Sequence, residues 1–89
     1  MEPLVSVCIP AYNSSVYIKR TMESVLEQNY KNIELVVIDD QSKDNTVEIV
    51  ESVKDPRVRL VKNEKNLGMT GNWNKCLAEA RGDYIKLIC

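Results

Sequence analysis

The segment "VVIDDQSKDNT" (residues 36–46) joins an apolar run directly to two adjacent carboxylates and then to a stretch with helical character. Residues 36–38 are β-branched, which is typical of a strand buried on both faces. Asp39 and Asp40, by contrast, cannot be buried without partners. We therefore expect the acidic pair at the carboxyl end of a strand, which is where ligands bind in open α/β sheets.

Length and charge limit the functions open to this chain. Its 89 residues, 44% of them hydrophobic, predict one compact domain spanning residues 1–89. The net charge of -1 argues against nucleic acid as a partner. Basic residues between 54 and 65 are interleaved with Asp55 and Glu64, so we expect a solvated face there rather than a binding patch.

Cysteine usage and hydropathy predict the compartment. The three cysteines, an odd number without paired spacing, predict neither a disulfide framework nor a zinc site. No signal peptide precedes the first strand, and the longest apolar run is far short of the roughly 20 residues that a membrane span needs. We expect a reducing, cytoplasmic setting, with any membrane association made through other parts of a longer protein.

Short β-branched runs alternate with helical patterns along the chain. The predicted strands are residues 5–9, 33–39, 58–62 and 84–89. The first is expected to stop at Pro10, because proline lacks the N–H of a strand residue. The order β-α-β-α-β-α-β predicts an α/β fold, a three-layer α/β/α sandwich around a parallel sheet.

Apolar residues at helical spacing mark three helices. The first has its stripe at residues 18–26, with Ser14 or Ser15 as the N-cap. The second spans residues 45–53, and its candidate N-caps are Ser42, Asp44 and Asn45. The third has the clearest stripe, which predicts a core-facing set of Met69, Trp73, Cys76, Leu77 and Ala80.

The fourth strand is followed by no helix and no further strand. An apolar edge of that kind tends to pair with another chain or with sequence that is missing. We therefore expect part of a larger protein, and a homo-oligomer formed through this edge.

The loop after the first strand lacks glycine. This excludes the G-x-G-x-x-G of dinucleotide-binding folds and the phosphate-binding P-loop at this place. Tyr12 could stack on a base, and Asn13 could bond to a ligand. The alternative is a plain turn in which Asn13 and Ser14 cap the helix.

The two later loops carry acidic and amide side chains. In an extended chain Asp39 and Asp40 point different ways, and we expect Asp40 to face the cleft. The alternative is helix capping and surface charge. In residues 63–74, Gly68 permits unusual backbone dihedrals, and asparagines such as Asn66 and Asn72 can donate and accept hydrogen bonds.

Four segments in order carry a family resemblance: "VSVCIPAYNSS" (5–15), "IELVVIDDQSKDNT" (33–46), "KNLGMTGNWN" (65–74) and "RGDYIKLI" (81–88). Together they resemble the amino-terminal half of the nucleotide-sugar-binding domain of family 2 glycosyltransferases, inverting enzymes with the Rossmann-like GT-A fold. The resemblance implies that Pro10, Ala11 and Tyr12 border the nucleoside pocket. It implies that Asp40 contacts the base, and that Asn66, Gly68 and Asn72 shape the wall near the sugar nucleotide.

The resemblance also implies partners. The donor would be a nucleotide-diphosphate sugar, with uracil the commonest base, and the acceptor a saccharide or lipid-linked hydroxyl. A divalent cation, Mg or Mn, would be held by aspartates that follow the fourth strand, beyond Cys89, and the catalytic base would lie farther on. We therefore expect no catalytic or metal-binding residue in this chain, and no sugar transfer by it alone.

Departures from the family pattern fall in the third helix. Met69 and Trp73 occupy positions that are basic in many relatives, and Cys76 a position that is often glycine. Lys75 could contact the diphosphate only if its side of the helix faced the cleft. Two other functions stay open: a non-catalytic module that self-associates through the edge strand, and a phosphoacceptor receiver domain. The latter needs an acidic cluster after the first strand, where this chain has Pro10-Ala11-Tyr12.

Overall fold

The computed structural model describes residues 2–88 and shows strands and helices in strict alternation. The elements are β1 (Val5–Ala11), α1 (Ile18–Leu26), β2 (Ile33–Asp39), α2 (Thr46–Ser52), β3 (Val58–Lys62), α3 (Gly68–Glu79) and β4 (Tyr84–Leu87). The strands form one sheet in the order β3-β2-β1-β4, and every neighbouring pair is parallel. The predicted α/β order is confirmed, while Cys89 lies outside the described residues.

The two central strands are buried on both faces of the sheet, as their unbroken apolar runs predict. On one face, the residues that pack with α1 and α2 are Val7, Ile9, Leu35 and Val37. On the other, Cys8, Val36 and Ile38 pack with Cys76 of α3. Helices therefore cover both faces, and the three-layer arrangement is confirmed. None of the helices described between residues 2 and 88 is long and apolar enough to cross a membrane.

β1 continues through Pro10, so the prediction that the strand stops there is wrong. The carbonyl of Cys8 accepts a hydrogen bond from Ile88 N on the β4 side, at 2.9 Å. Alternation along the strand turns the nitrogen of Pro10 to that same side, past Leu87, where β4 has ended. The missing N–H therefore costs no hydrogen bond to β2, and β1 delivers Ala11 and Tyr12 to the edge of the sheet.

α1 begins later than its candidate caps predict, whereas α2 begins directly after Asn45, one of its candidate caps. In the described chain Tyr17 and Asn45 hold the N-cap positions, and neither makes a side-chain cap. The hydroxyl of Ser14 bonds instead to the backbone of Tyr12. Of the candidates for α2, Asp44 supports the helix start, since its carboxylate accepts from Thr46 N at 3.0 Å.

The predicted core stripe of α3 is confirmed for Cys76 and Ala80, which pack in the core, but it is wrong for Met69, Trp73 and Leu77. The helix buries Asn72 and Cys76, whereas Met69 is 80% exposed and Leu77 is also exposed. The cause is polar: the carboxamide of Asn72 donates to Ile38 O at 3.1 Å and accepts from Asn63 Nδ2 at 2.9 Å. These bonds rotate the helix so that Met69 and Trp73 face away from the core.

β4 is an edge strand with exposed Tyr84 and Ile85. The turn before it packs tightly, because a Cβ on Gly82 would lie 2.7 Å from the carbonyl oxygen of Leu4. This close approach explains a glycine in the turn between α3 and β4.

We expect Ile38→Ala to lower the free energy of unfolding by about 2–5 kcal/mol, because Ile38 is fully buried in the core beneath α3. Ile85→Ala removes the same atoms from an exposed edge position. It should cost less than about 1 kcal/mol. Denaturant unfolding of both variants measures the difference, and equal losses would contradict this account of the core.

Candidate functional site

A cleft of about 530 Å³ opens where β1, β2 and β3 end. The loop after β1 contributes Pro10, Ala11, Tyr12, Ser14 and Tyr17 to its lining, and the loop after β2 contributes Asp40. The remaining lining residues come from the β3–α3 loop and the first turns of α3: Asn66, Gly68, Met69, Asn72 and Trp73. All seven residues singled out from the sequence therefore meet at one cleft.

Asp40 is the polar centre of this cleft. One carboxylate oxygen, Oδ1, accepts from Leu67 N at 2.7 Å and from Asn63 Nδ2 at 2.9 Å. The other, Oδ2, accepts from Gly68 N at 3.0 Å. The carboxylate therefore joins the end of β2 to the first turn of α3.

A carboxylate that faces a cleft is expected to be exposed and replaceable at little cost in stability. The structure contradicts this, because Asp40 is only 3% exposed and accepts three hydrogen bonds from the chain. Burial of a charge is tolerated where donors surround it. Asp40 is thus part of the scaffold and also part of the cleft wall.

The adjacent carboxylate, Asp39, bonds to its own loop instead of facing the cleft. Asp39 accepts from the backbone N of Ser42 at 3.1 Å and from its hydroxyl. It is buried too, but it does not line the cleft. The two carboxylates therefore separate as expected, one securing its own loop and the other facing the cleft.

Amide groups build the wall beside Asp40. Asn66 Nδ2 donates to the Asp40 carbonyl at 3.1 Å, while Asn63 bridges Asp40 and Asn72 with its two N–H groups. Gly68 has φ +76, a left-handed conformation that favours glycine. This conformation turns the chain into α3 while both Leu67 N and Gly68 N point at the carboxylate.

Aromatic and thioether side chains form the open sides of the cleft. Tyr12 is 47% exposed, and Trp73 is partly exposed. The prediction that Trp73 lies in the core is wrong for the same reason as it is for Met69. Sequence reasoning also missed Ser14, Tyr17 and Met69. The spacing of Met69 and Trp73, four residues apart, could have indicated a shared face, but not which side that face lies on.

The electrostatics of the cleft are simple. Of the described residues that line it, Asp40 alone carries a charge. Lys75, the candidate for a diphosphate contact, lies in a separate depression with Lys62 and Lys65, and its Nζ is 3.9 Å from Glu79. Within residues 2–88, no group of three or more His, Cys, Asp or Glu side chains could hold a metal ion.

The parallel sheet has a cleft at the ends of its strands, with a buried carboxylate in the cleft wall. It therefore belongs to the class of open α/β folds, in which ligands bind at the carboxyl edge of the sheet. Residues 6–88 match the sequence profile named Glycosyl transferase family 2, and the chain belongs to that family. The resemblance noted from its four motifs is thereby confirmed.

Individual relatives give the same picture. The chain is 44% identical over 85 residues to the Escherichia coli UDP-Glc:alpha-D-GlcNAc-diphosphoundecaprenol beta-1,3-glucosyltransferase WfaP, a match that covers 96% of this chain and 34% of that protein. S. aureus TarS 1-349 in complex with UDP-GlcNAc superposes with a TM-score of 0.86 and 32% identity, covering 94% of this chain and 25% of TarS 1-349.

A third similar protein is the mannosyltransferase PcManGT from Pyrobaculum calidifontis, in complex with GDP-Man and Mn2+. Its TM-score is 0.85 at 28% identity, over 96% of this chain and 26% of that one. The predicted GT-A fold is therefore confirmed. The chain spans between 25% and 34% of the length of these three proteins.

We expect Asp40→Asn to lower the free energy of unfolding by about 1–3 kcal/mol, because an amide group would replace one acceptor and leave a buried N–H without a partner. Asp83→Asn is the matched control, since Asp83 is exposed and accepts a hydrogen bond from Leu4 N. Denaturant unfolding of both variants measures the effect. A loss no larger for Asp40→Asn than for Asp83→Asn would restore the view of Asp40 as a replaceable surface carboxylate.

Proposed function

We propose that this chain forms the nucleoside-binding part of a glycosyltransferase that transfers a sugar from a nucleotide-diphosphate sugar, with UDP as the nucleotide, to an acceptor hydroxyl with inversion. The observation that carries the proposal is the position of Asp40 in the wall of the cleft that Tyr12 also lines. The proposal assigns nucleoside binding, and no catalytic residue, to the described residues.

The hydrogen bonds of Asp40 favour a ligand with one N–H donor. A carboxylate oxygen can accept about two hydrogen bonds. Oδ1 already has two donors, while Oδ2 accepts from Gly68 N alone within the described residues. One acceptor position is therefore left on Oδ2, and a charge-assisted hydrogen bond to it would be strong in this largely buried place.

The number of free acceptor positions bears on which base is bound. Uracil presents a single ring N–H between two carbonyl groups, which matches one acceptor. Guanine presents a ring N–H beside an amino group, and pairing both with a carboxylate takes two acceptor positions. Thymine has the same N–H as uracil, so Asp40 by itself does not separate these two. The tyrosine side chain of Tyr12, half-exposed at the cleft, supplies a face on which a pyrimidine ring can stack.

The ligands of similar proteins support the proposal that the sugar donor is a nucleotide sugar. Crystal structures of TarS 1-349 contain UDP-GlcNAc or UDP, and the PcManGT structure is of a complex with GDP-Man and Mn2+. WfaP is named for transfer of glucose from UDP-Glc to a diphosphoundecaprenol-linked sugar. By analogy, the proposal includes a saccharide or lipid-linked acceptor and a cytoplasmic setting for the longer protein.

The cation implied by the family does not fit the residues described here. Asp39 and Asp40 both accept hydrogen bonds from within the chain, and no cluster of three or more potential ligands occurs among residues 2–88. We assign no step to a metal ion in this chain. Binding of Mg or Mn remains part of the proposal for the longer protein only.

A second candidate function is a non-catalytic module that associates with its own copies. The observation in its favour is the exposed side chains of Tyr84 and Ile85 on the edge strand β4. Sedimentation at high protein concentration tests it, and a monomer throughout would contradict it.

Titration of the isotope-labelled protein with UDP and with GDP tests the main proposal. We expect amide shifts at residues 10–12, 40 and 66–72, and an affinity for UDP at least about tenfold higher than for GDP, since one mismatched donor is worth about 1.4 kcal/mol or more. Addition of Mn2+ should leave the shifts unchanged.

Tyr12→Ala should weaken UDP binding by about tenfold through lost stacking. Tyr84→Ala is the matched control, because Tyr84 is an exposed tyrosine outside the cleft. A folded sample that shows no shift at these residues, or equal affinities of the Tyr12 and Tyr84 variants, would overturn the proposal.

A further inference from the structure

Three consecutive backbone N–H groups follow β1, at Asn13, Ser14 and Ser15. Asn13 has φ +49, a left-handed conformation that turns the chain sharply as it leaves the strand. Successive N–H groups after such a turn commonly bind anions such as phosphate. In this protein each of the three already has an acceptor within the chain.

All three acceptors are side chains of the next connection, from the loop between β2 and α2 and from the first residue of α2. Asn13 N donates to Ser42 Oγ at 2.9 Å, and Ser14 N donates to Thr46 Oγ1 at 2.8 Å. Ser15 N donates to Asp44 Oδ2 at 3.1 Å. In the opposite direction, Asn13 Oδ1 accepts a hydrogen bond from Lys43 N at 2.7 Å.

Two of the three acceptors, the hydroxyl groups of Ser42 and Thr46, are themselves held in place by carboxylates. The hydroxyl of Ser42 donates to Asp39, and the hydroxyl of Thr46 donates to Asp44. The hydrogen bond from the Thr46 side chain, with further ones from Ser15 and from Thr46 N, lowers the pKa of the Asp44 carboxyl to about 2. Asp44 is therefore ionised at any ordinary assay pH and acts only as an acceptor.

Ser14 connects these hydrogen bonds to the residues that line the cleft. Its N–H is fixed by Thr46, which is fully buried, and its hydroxyl bonds to the backbone of Tyr12 at 3.2 and 3.3 Å. The same hydroxyl accepts from Tyr17 Oη at 3.3 Å. Tyr12 and Tyr17 both line the cleft, although Thr46 does not.

We propose that Asp44 and Thr46 are positioning residues of the nucleoside pocket, which hold the loop that carries Tyr12 and occupy N–H groups that a ligand's phosphates would otherwise bind. The inference rests on the proposed function for its effect on a ligand. It also explains why a loop without glycine can stand where a Rossmann-type fold binds pyrophosphate: the diphosphate has no free donor here and must lie elsewhere.

Amide hydrogen exchange without any nucleotide tests the positioning itself. In Thr46→Val, which is nearly isosteric but lacks the hydroxyl, exchange at Ser14 should be at least about tenfold faster relative to Val37 of β2, whose exchange reports global opening. Thr46→Ser, which keeps the hydroxyl, should stay within about threefold of the unmodified protein. Equal exchange at Ser14 in the Val and Ser variants would overturn the inference.

Uridine and UDP binding tests the consequence for the pocket. Thr46→Val should weaken both ligands by the same factor, about tenfold, because the loop contacts the nucleoside and not the phosphates. Asp55→Asn is a control outside the cleft, since it weakens local hydrogen bonds from Arg57 without touching the residues that line the cleft. Its affinity for uridine should equal that of the unmodified protein.

The outcomes separate this inference from the proposed function. If the unmodified protein binds neither uridine nor UDP, the proposed function fails, while the exchange experiment still decides the positioning role. If it binds both and Thr46→Val binds them equally well, the proposed function stands and the inference fails. Inorganic pyrophosphate should not shift the amides of residues 13–15, and a shift there would show that these N–H groups are free.

Discussion

The buried carboxylate of Asp40 holds the site together. It stands one residue past the end of β2 and accepts the N–H groups of Leu67 and Gly68, 27 and 28 residues further along the chain. A charge in this position would be costly without those donors, and N–H groups at the start of a helix are otherwise unpaired. The carboxylate and the two N–H groups therefore satisfy each other's hydrogen bonding, and these bonds join the end of β2 to the start of α3.

Other contacts across the same edge depend on this junction. Gln41, at φ +64, donates to the carbonyls of Asn63 and Glu64, and Asn66 donates to the carbonyl of Asp40. The loops that follow β2 and β3 thus form one wall of the cleft. The loop that follows β1 forms the other wall, and the side chains of Ser42, Asp44 and Thr46 hold it in place. Binding sites of this kind need a supported wall, since a displacement of about 1 Å is costly for recognition. Here the support comes from side chains that mostly do not line the cleft.

Much of this could be predicted from the sequence. The run at 36–38 predicts a strand buried on both faces. Because the carboxyl ends of parallel strands meet at one edge of the sheet, Pro10, Asp40 and Asn66 are expected to lie close together. The rest depends on contacts between residues far apart in sequence. The rotation of α3 follows from the bonds of Asn72 to Ile38 and Asn63, and hydrophobic periodicity contains no information about them. In the same way, the sequence predicts Ser14 as a helix cap. In the structure its N–H donates to Thr46 Oγ1 and its hydroxyl accepts from Tyr12 N, two contacts that the local sequence does not indicate.

A crystal structure of the protein with UDP would show directly whether Asp40 binds the base. We expect the protonated ring nitrogen of uracil at about 2.7–3.2 Å from Asp40 Oδ2, the ring against Tyr12, and the diphosphate directed away from the N–H groups of residues 13–15. A base bound outside the cleft, or a base in the cleft that makes no contact with Asp40, would contradict this expectation.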